Sequence, residues 1–218
     1  MFSVIFDMDG TLLDTQSICI PAWEYAGNLQ NIPGMGSAIA KVCGMNEIGW
    51  TRYLEDKYPS LDIPLFKVTM RKYIIDNLKV RYKKGAAELI DFLKSMGIRL
   101  ALASGTSRPS IDHHLKEVGA QDLFEVIVGG KDVENGKPHP DVFLLTAQKM
   151  GVDPKDCYVF EDSANGVRAA YAAGMKPIGI PDVAPFTDDV KKLMYTELTS
   201  LDEAIDMFRK ILSEQGDI

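Results

Sequence analysis

The sequence predicts an α/β protein with a doubly wound parallel sheet and an inserted all-helical cap domain. From Lys84 onward, short strand-like apolar runs alternate with helical stretches, an order that is typical of a parallel sheet covered by helices on both faces. Between residues 16 and 81, strand-like runs are absent and helical stretches follow one another. We therefore predict an α/β core formed by residues 1–15 and 82–218 and a helical cap at 16–81.

The predicted strands of the core are short apolar runs bounded by polar or glycine residues, as buried strands commonly are. They lie at residues 4–6, 98–103, 125–128, 158–160 and 176–180. The helices between them end at a glycine, the residue that most easily adopts the left-handed conformation after a helix. Those glycines are Gly97, Gly119, Gly151 and Gly174.

Helical stretches fill the predicted cap, and proline or glycine residues, which interrupt helices, separate them. They lie near residues 18–29, 36–42, 47–58 and 65–80. Because no strand-like run occurs among them, this domain is predicted to be all-helical and to contribute nothing to the sheet.

The chain has 218 residues, of which 46% are hydrophobic and 25% are charged, as in an ordinary globular protein. Its 24 Lys and Arg residues against 31 Asp and Glu residues give a net charge of −7. Nucleic-acid binding normally needs a basic face, so this balance argues against it. Small anionic substrates stay possible, because local positive potential can exist on an acidic protein.

The sequence also bears on the cellular compartment. Cys19, Cys43 and Cys157 are far apart and form no C-x-x-C motif, which favours reduced thiols. The first apolar run is interrupted at Asp7 and has no basic leader, so we predict no signal peptide. No apolar stretch approaches the roughly 20 residues of a membrane helix. We expect a cytoplasmic protein that contacts no membrane.

Polar side chains follow the predicted strands at the edge where open α/β sheets bind ligands. They are Asp7, Asp9, Ser104, Thr106, Lys137, Glu161 and Asp162. Four carboxylates cannot share a small site unless positive charge neutralises them. Oxygen ligands suit Mg²⁺, and the lack of Cys and His ligands disfavours zinc. The sequence therefore predicts a magnesium site at this edge of the sheet.

Four segments stand at these strand ends in a defined order. They are Asp7-Met8-Asp9-Gly10-Thr11, Ser104-Gly105-Thr106, Lys137-Pro138 and Glu161-Asp162-Ser163-x-x-Gly166. In this order they resemble the motifs of the haloacid dehalogenase-like superfamily, most closely its phosphatase and β-phosphoglucomutase-like branch with a helical cap after the first strand. The resemblance implies a Rossmann-like core, a Mg²⁺ cofactor, a small phosphorylated metabolite as substrate, and a monomer.

The resemblance also implies chemical roles for the matching residues. Asp7 would be the nucleophile that forms an aspartyl phosphate, which divides one difficult displacement into two easier steps. Asp9 would protonate the leaving oxygen and then activate water. Lys137 would offset charge on the phosphoryl oxygens. Mg²⁺ would be bound by Asp7, by Asp162 and by the main-chain carbonyl of Asp9, with Glu161 as a ligand or as a partner of the ligands.

The implied substrate contacts begin at the second motif. Ser104 and the backbone N–H groups of Gly105 and Thr106 would bind phosphoryl oxygens at a helix entrance, where unpaired amides favour anions. We expect the cap to set substrate specificity and, when closed, to exclude water. The further candidates for substrate binding are Thr11, Arg108, Asn46 and Glu47.

Two alternatives to a phosphatase stay open. A β-phosphoglucomutase of this branch uses a histidine and a cap arginine where this chain has Cys19 and Glu47. A mutase must bind a bisphosphate at both ends, and an acidic Glu47 repels the second phosphate, so a phosphatase is favoured. A non-catalytic protein that binds a phosphorylated metabolite would usually lack Asp7, Asp9 or Asp162, and all of these are present.

Overall fold

The computed structural model describes residues 2–42 and 47–215. The chain divides into two compact units, Met1–Asp14 with Val80–Ile218 and Thr15–Lys79. The larger unit contains the sheet, and the smaller unit is helical where it is described. Within these same ranges, no helix combines the length and the apolar character needed to cross a bilayer. The role of the smaller unit as a cap stays a prediction.

In the described part of the chain, six strands form one sheet in the order β3-β2-β1-β4-β5-β6. They are β1 Ser3–Phe6, β2 Arg99–Ala103, β3 Val126–Val128, β4 Cys157–Glu161, β5 Lys176–Gly179 and β6 Thr196–Glu197. Every neighbouring pair is parallel, so the predicted doubly wound α/β fold is confirmed. The strand order reverses between β1 and β4, and such sheets bind ligands beyond the carboxyl ends of the strands at this point.

The smaller unit has an apolar centre of its own. Its helices are α1 Cys19–Asn28, α2 Ile39–Val42, α3 Glu47–Lys57 and α4 Ile63–Asn77, with a 3₁₀ turn at Met35–Ala38. The ring of Trp23 lies 5.2 Å from that of Phe66 and 5.6 Å from that of Trp50. Trp23 is only 4% exposed, so its aromatic surface stabilises the packing of these helices.

Helices cover both faces of the sheet. In the larger unit they are α5 Ala86–Ser95, α6 Arg108–Glu117, α7 Asp141–Met150, α8 Ala164–Ala172, α9 Asp188–Lys191 and α10 Glu203–Gln215. Side chains alternate along β1, as they do in any strand. Val4 and Phe6 join the apolar cluster that α5 and α10 cover, and Ile5 joins the cluster that α7 and α8 cover. Burial on both faces explains why the strands are continuous apolar runs.

Candidate active site

Acidic residues from the two central strands lie side by side where the strand order reverses. β1 ends at Phe6, and the backbone N–H of the next residue, Asp7, donates to the carbonyl of Phe160 at 3.0 Å. β4 ends at Glu161, and Asp162 follows it. Because β1 and β4 are paired and parallel, their carboxyl ends bring these acids to the same edge of the sheet.

Asp7, Glu161 and Asp162 form one buried carboxylate cluster, in which one oxygen of each lies within 4.8 Å of the others. Their exposed fractions are 5%, 0% and 5%. Burial disfavours the charged form and neighbouring carboxylates add repulsion. These effects raise the pKa of Asp7 well above its usual range and raise the pKa of Asp162 to about 8. The cluster therefore favours any cation that can reach it.

Lys137, which lies before α7, supplies positive charge to this carboxylate cluster. Its Nζ lies 2.6 Å from Oδ1 of Asp7 and also donates to Oε1 of Glu161. Burial alone would lower the pKa of Lys137, but the charges of Asp7 and Glu161 outweigh it and raise that pKa above its usual value. Lys137 is therefore a fixed cation between the two carboxylates at neutral pH.

Glu161 is held in place by the start of α8. Its Oε2 accepts hydrogen bonds from the N–H and the hydroxyl of Ser163, at 3.2 and 3.0 Å. The same hydroxyl accepts from the N–H of Gly166 at 3.0 Å and caps the helix. Gly166 leaves room for the carboxylate, since a Cβ there would lie 1.9 Å from Cδ of Glu161.

Asp9 contacts the loop that follows β2. Its Oδ2 accepts hydrogen bonds from Oγ1 of Thr106 at 2.7 Å and from Oγ of Ser104 at 3.3 Å. The backbone N–H of Thr106 donates to Oγ of Ser104 at 3.0 Å. Gly10, with a φ of 81°, turns the chain directly after Asp9, in a conformation that glycine adopts without strain. Asp9 and the predicted phosphate-binding turn are thus in direct contact.

With this geometry in view, comparison with known proteins gives the family. The model of the haloacid dehalogenase-like hydrolase family matches residues 3–174. The chain belongs to this family. Its similarity to phosphatases and to β-phosphoglucomutase-like structures places it in that branch, as the motifs predict, and it is a phosphoric monoester hydrolase.

Three relatives of this haloacid dehalogenase-like hydrolase illustrate the similarity. A phosphorylated carbohydrates phosphatase from Thermotoga maritima is 32% identical over 182 residues, which cover 82% of this chain and 84% of that protein. A fructose-1-phosphate phosphatase from Escherichia coli is 33% identical over 188 residues, covering 81% and 95%. A solved family hydrolase from Deinococcus radiodurans, with bound phosphate and sodium, has a TM-score of 0.82 at 27% identity and covers 100% and 97%.

In this haloacid dehalogenase-like hydrolase, the loop after β3 holds the turn at Ser104–Thr106. The N–H of Gly130 donates to the carbonyl of Thr106 at 2.9 Å. A Cβ on Gly130 would lie 2.1 Å from the carbonyl oxygen of Gly105. Any residue other than glycine at position 130 would therefore prevent this close approach of the two loops. Sequence reasoning missed this contact, although the adjacent pair Gly129-Gly130 is a signal that could have indicated it.

The remaining predicted substrate-binding residues fall in different places. Thr11 is buried and its Oγ1 donates to Oδ1 of Asp162 at 3.3 Å, so it joins the carboxylate cluster. Arg108 does not join this cluster. Its Nε instead donates to Oδ1 of Asp112, which also lies in α6, at 2.7 Å. Asn46 and the side chain of Glu47, which were also predicted to bind substrate, lie outside what the structure describes.

The donor set of the carboxylate cluster fits a hard divalent cation. Its three converging ligand atoms are all carboxylate oxygens, the type of donor that Mg²⁺ prefers, and no sulfur or imidazole ligand in this cluster would select zinc. When all three acids are ionised, they carry more negative charge than Lys137 alone can neutralise. The cluster could therefore bind a metal, with Asp7, Glu161 and Asp162 as ligands.

Proposed function

We propose that this chain is a magnesium-dependent phosphatase that hydrolyses a small phosphorylated metabolite, such as a sugar phosphate, through an aspartyl phosphate on Asp7. The observation that carries the proposal is the 2.6 Å ion pair between Asp7 and Lys137 inside a cluster of buried acids. A carboxylate beside a fixed cation can approach an anionic phosphoryl group, because the cation offsets the repulsion between them.

In the first step, a carboxylate oxygen of Asp7 attacks the phosphorus of the bound ester. A P–O bond to Asp7 forms while the bond between phosphorus and the ester oxygen breaks. Protonated Asp9 donates its proton to the departing oxygen, so the metabolite leaves as an alcohol. Lys137 stays charged throughout and offsets the negative charge that the phosphoryl oxygens bring to the site.

In the second step, ionised Asp9 removes a proton from a water molecule that attacks the phosphorus of the aspartyl phosphate. The P–O bond to Asp7 breaks, inorganic phosphate forms, and the Asp7 carboxylate is restored. The hydroxyls of Ser104 and Thr106 donate hydrogen bonds to Asp9 and would hold the Asp9 carboxylate in place. The backbone N–H groups of Gly105 and Thr106 would bind phosphoryl oxygens.

Magnesium would be held by Asp7, Glu161 and Asp162, whose oxygens converge to within 4.8 Å. When bound, it supplies positive charge that stabilises the ionised form of Asp7 and the transferred phosphoryl group. Thr11 would orient one of these ligands through its hydrogen bond to Asp162. The main-chain carbonyl of Asp9 remains a proposed additional ligand.

The substrate class is supported by the names of the relatives. The Thermotoga maritima protein is a phosphorylated carbohydrates phosphatase and the Escherichia coli protein is a fructose-1-phosphate phosphatase. Each alignment covers at least 81% of this chain, which supports a sugar phosphate as the substrate here.

The proposal is tested by measuring phosphate release from a panel of sugar phosphates and from an aryl phosphate, before and after removal of metal with a chelator. We expect release to stop without metal, to return with added Mg²⁺, and to have its highest kcat/KM on a sugar phosphate. Ester cleavage that is indifferent to the chelator would overturn the magnesium-dependent mechanism.

A β-phosphoglucomutase activity is the alternative, because the branch to which the chain belongs includes such proteins. Cys19 and Glu47 stand where the resemblance implies that a mutase has a histidine and an arginine, and they favour the phosphatase. Incubation with β-glucose 1-phosphate and a bisphosphate primer separates the two activities. We expect free phosphate as the product, and efficient conversion to glucose 6-phosphate would reverse this preference.

A further inference from the structure

Among the described residues, three buried side-chain atoms have no hydrogen-bond partner: Nδ1 of His114, Oδ2 of Asp182 and Oδ1 of Asp202. A buried carboxylate oxygen without a donor is costly, so such an atom indicates that a binding partner is missing. Asp182 follows β5, which ends at Gly179 and pairs directly with β4. Asp202 instead follows the edge strand β6.

The register of β4 and β5 places Asp182 next to the carboxylate cluster. Glu161 pairs with Gly179, and the N–H of Ile180 donates to the carbonyl of Glu161 at 2.8 Å. The chain therefore leaves β5 alongside Asp162. The negative charge of Asp182 contributes to the raised pKa of Asp162, after burial and Glu161, which supports the proximity of these two carboxylates.

Lys83 fixes the orientation of Asp182. Its Nζ lies 2.6 Å from Oδ1 of Asp182, and the two side chains are 23% and 16% exposed. The backbone N–H of Lys83 donates to the carbonyl of Leu12 at 2.9 Å, so Lys83 is itself attached to the segment that follows Asp9. One oxygen of Asp182 is thus held by a cation, while its other oxygen is buried without a donor.

We propose that Asp182 is a positioning residue of the magnesium site. Its carboxylate lies outside the three ligands and adds negative charge to the site, and its Oδ2 accepts a hydrogen bond from the hydration shell that Mg²⁺ retains in proteins. Lys83 keeps that oxygen in place through the opposite side of the same carboxylate. The inference rests on the magnesium site of the proposed function. Partners of this kind commonly change metal affinity by about 10- to 100-fold.

The experiment is calorimetric titration of Mg²⁺ into the metal-free full chain, without substrate. We expect Asp182→Asn to raise the Mg²⁺ Kd about tenfold or more. Lys83→Met should leave the Kd unchanged or lower it, because removing a cation strengthens the attraction for Mg²⁺.

Asp202→Asn is the matched control. Like Asp182, Asp202 has one buried oxygen without a partner, and its other oxygen lies 3.5 Å from Nζ of Lys84. Because Asp202 follows the edge strand β6 rather than β5, the Mg²⁺ Kd of Asp202→Asn should equal that of the wild type.

An Asp182→Asn variant with the wild-type Kd would overturn the inference. Equal weakening by Asp182→Asn and Lys83→Met would also overturn it, because that result shows an ion pair that only supports the fold. If Asp182→Asn does not fold, the Mg²⁺ Kd of Lys83→Met is compared with that of the double variant that combines Lys83→Met with Asp182→Asn. In the double variant the carboxylate of Asp182 is lost without leaving an unpaired lysine. A wild type that binds no Mg²⁺ overturns the proposed magnesium site as well, whereas normal binding by both wild type and Asp182→Asn overturns this inference alone.

Discussion

The carboxylate of Glu161 occupies the space that a side chain on Gly166 would need. A Cβ at Gly166 would lie 1.9 Å from Cδ and 2.0 Å from both carboxylate oxygens of Glu161. Glu161 is fully buried and also contacts Lys137 and Ser163, so moving it would break those contacts. The first turn of α8 is therefore coupled to the carboxylate cluster through one glycine.

Gly166→Ala should lower the free energy of unfolding. Alanine in a helix gains up to about 1 kcal/mol over glycine. Overpacking a buried position costs about 1–3 kcal/mol, and the 1.9 Å approach to Cδ of Glu161 puts this exchange at the upper end, so we expect a net loss of about 2 kcal/mol. Urea unfolding of the metal-free protein measures this. Gly136→Ala, whose added Cβ meets nothing within 4 Å, is the control for the same exchange. A Gly166→Ala variant as stable as the wild type would show that Glu161 relocates freely.

Thr106→Val should slow turnover, because it removes the 2.7 Å hydrogen bond from Oγ1 of Thr106 to Asp9 while keeping the shape of the side chain. A hydrogen bond to a charged group contributes about 1.5–3 kcal/mol, so kcat should fall about tenfold or more. Steady-state kinetics with the best substrate measure this effect. Thr199→Val also removes a hydroxyl donor to a carboxylate, that of Glu203, and should leave kcat unchanged. Equal kcat values for both variants and the wild type would contradict the role assigned to Thr106.

Asp162 should make the metal-free protein less stable as pH rises from about 4 to 8. The pKa of Asp162, about 8 in the folded chain, exceeds that of an ordinary aspartate, near 3.9 when unfolded. In this window the folded state binds more protons than the unfolded state, so raising the pH lowers the free energy of unfolding.

Between pH 5 and pH 8 this loss should be about 3–4 kcal/mol and should disappear in Asp162→Asn. Urea unfolding of both proteins at pH 5 and pH 8, with chelator present, gives the difference. Parallel pH dependence in the two proteins would mean that Asp162 titrates normally in the folded chain.

Much of the fold was predictable because its strands are short apolar runs buried on both faces. No element was predicted after residue 180, where the structure has β6, α9 and α10. β6 has only two residues, Thr196–Glu197, which is too short for an apolar run to mark it. α10 could have been predicted, since Ala204, Phe208 and Leu212 recur at helical spacing and are buried.

The carboxylate cluster was also predictable, because its acids follow strands and the topology brings strand ends together. The network around it was not. Lys83 and Asp182 are 99 positions apart and both lie in loops, where no periodicity relates one residue to another. The close approach of Gly130 to Gly105 is likewise a contact between two loops that only the folded chain brings together.

In the proposed reaction, the phosphoryl group passes through Asp7. Acid quenching of the enzyme during turnover preserves an acyl phosphate, and tandem mass spectrometry of the digested protein locates it. We expect one phosphoryl group on Asp7, and we expect Asp7→Asn to lose both this group and about 10³-fold or more of the turnover. Asp206→Asn, with a side chain that is 88% exposed, should keep both. A phosphoryl group found on Ser104 instead, or full turnover by Asp7→Asn, would show that the reaction does not pass through Asp7.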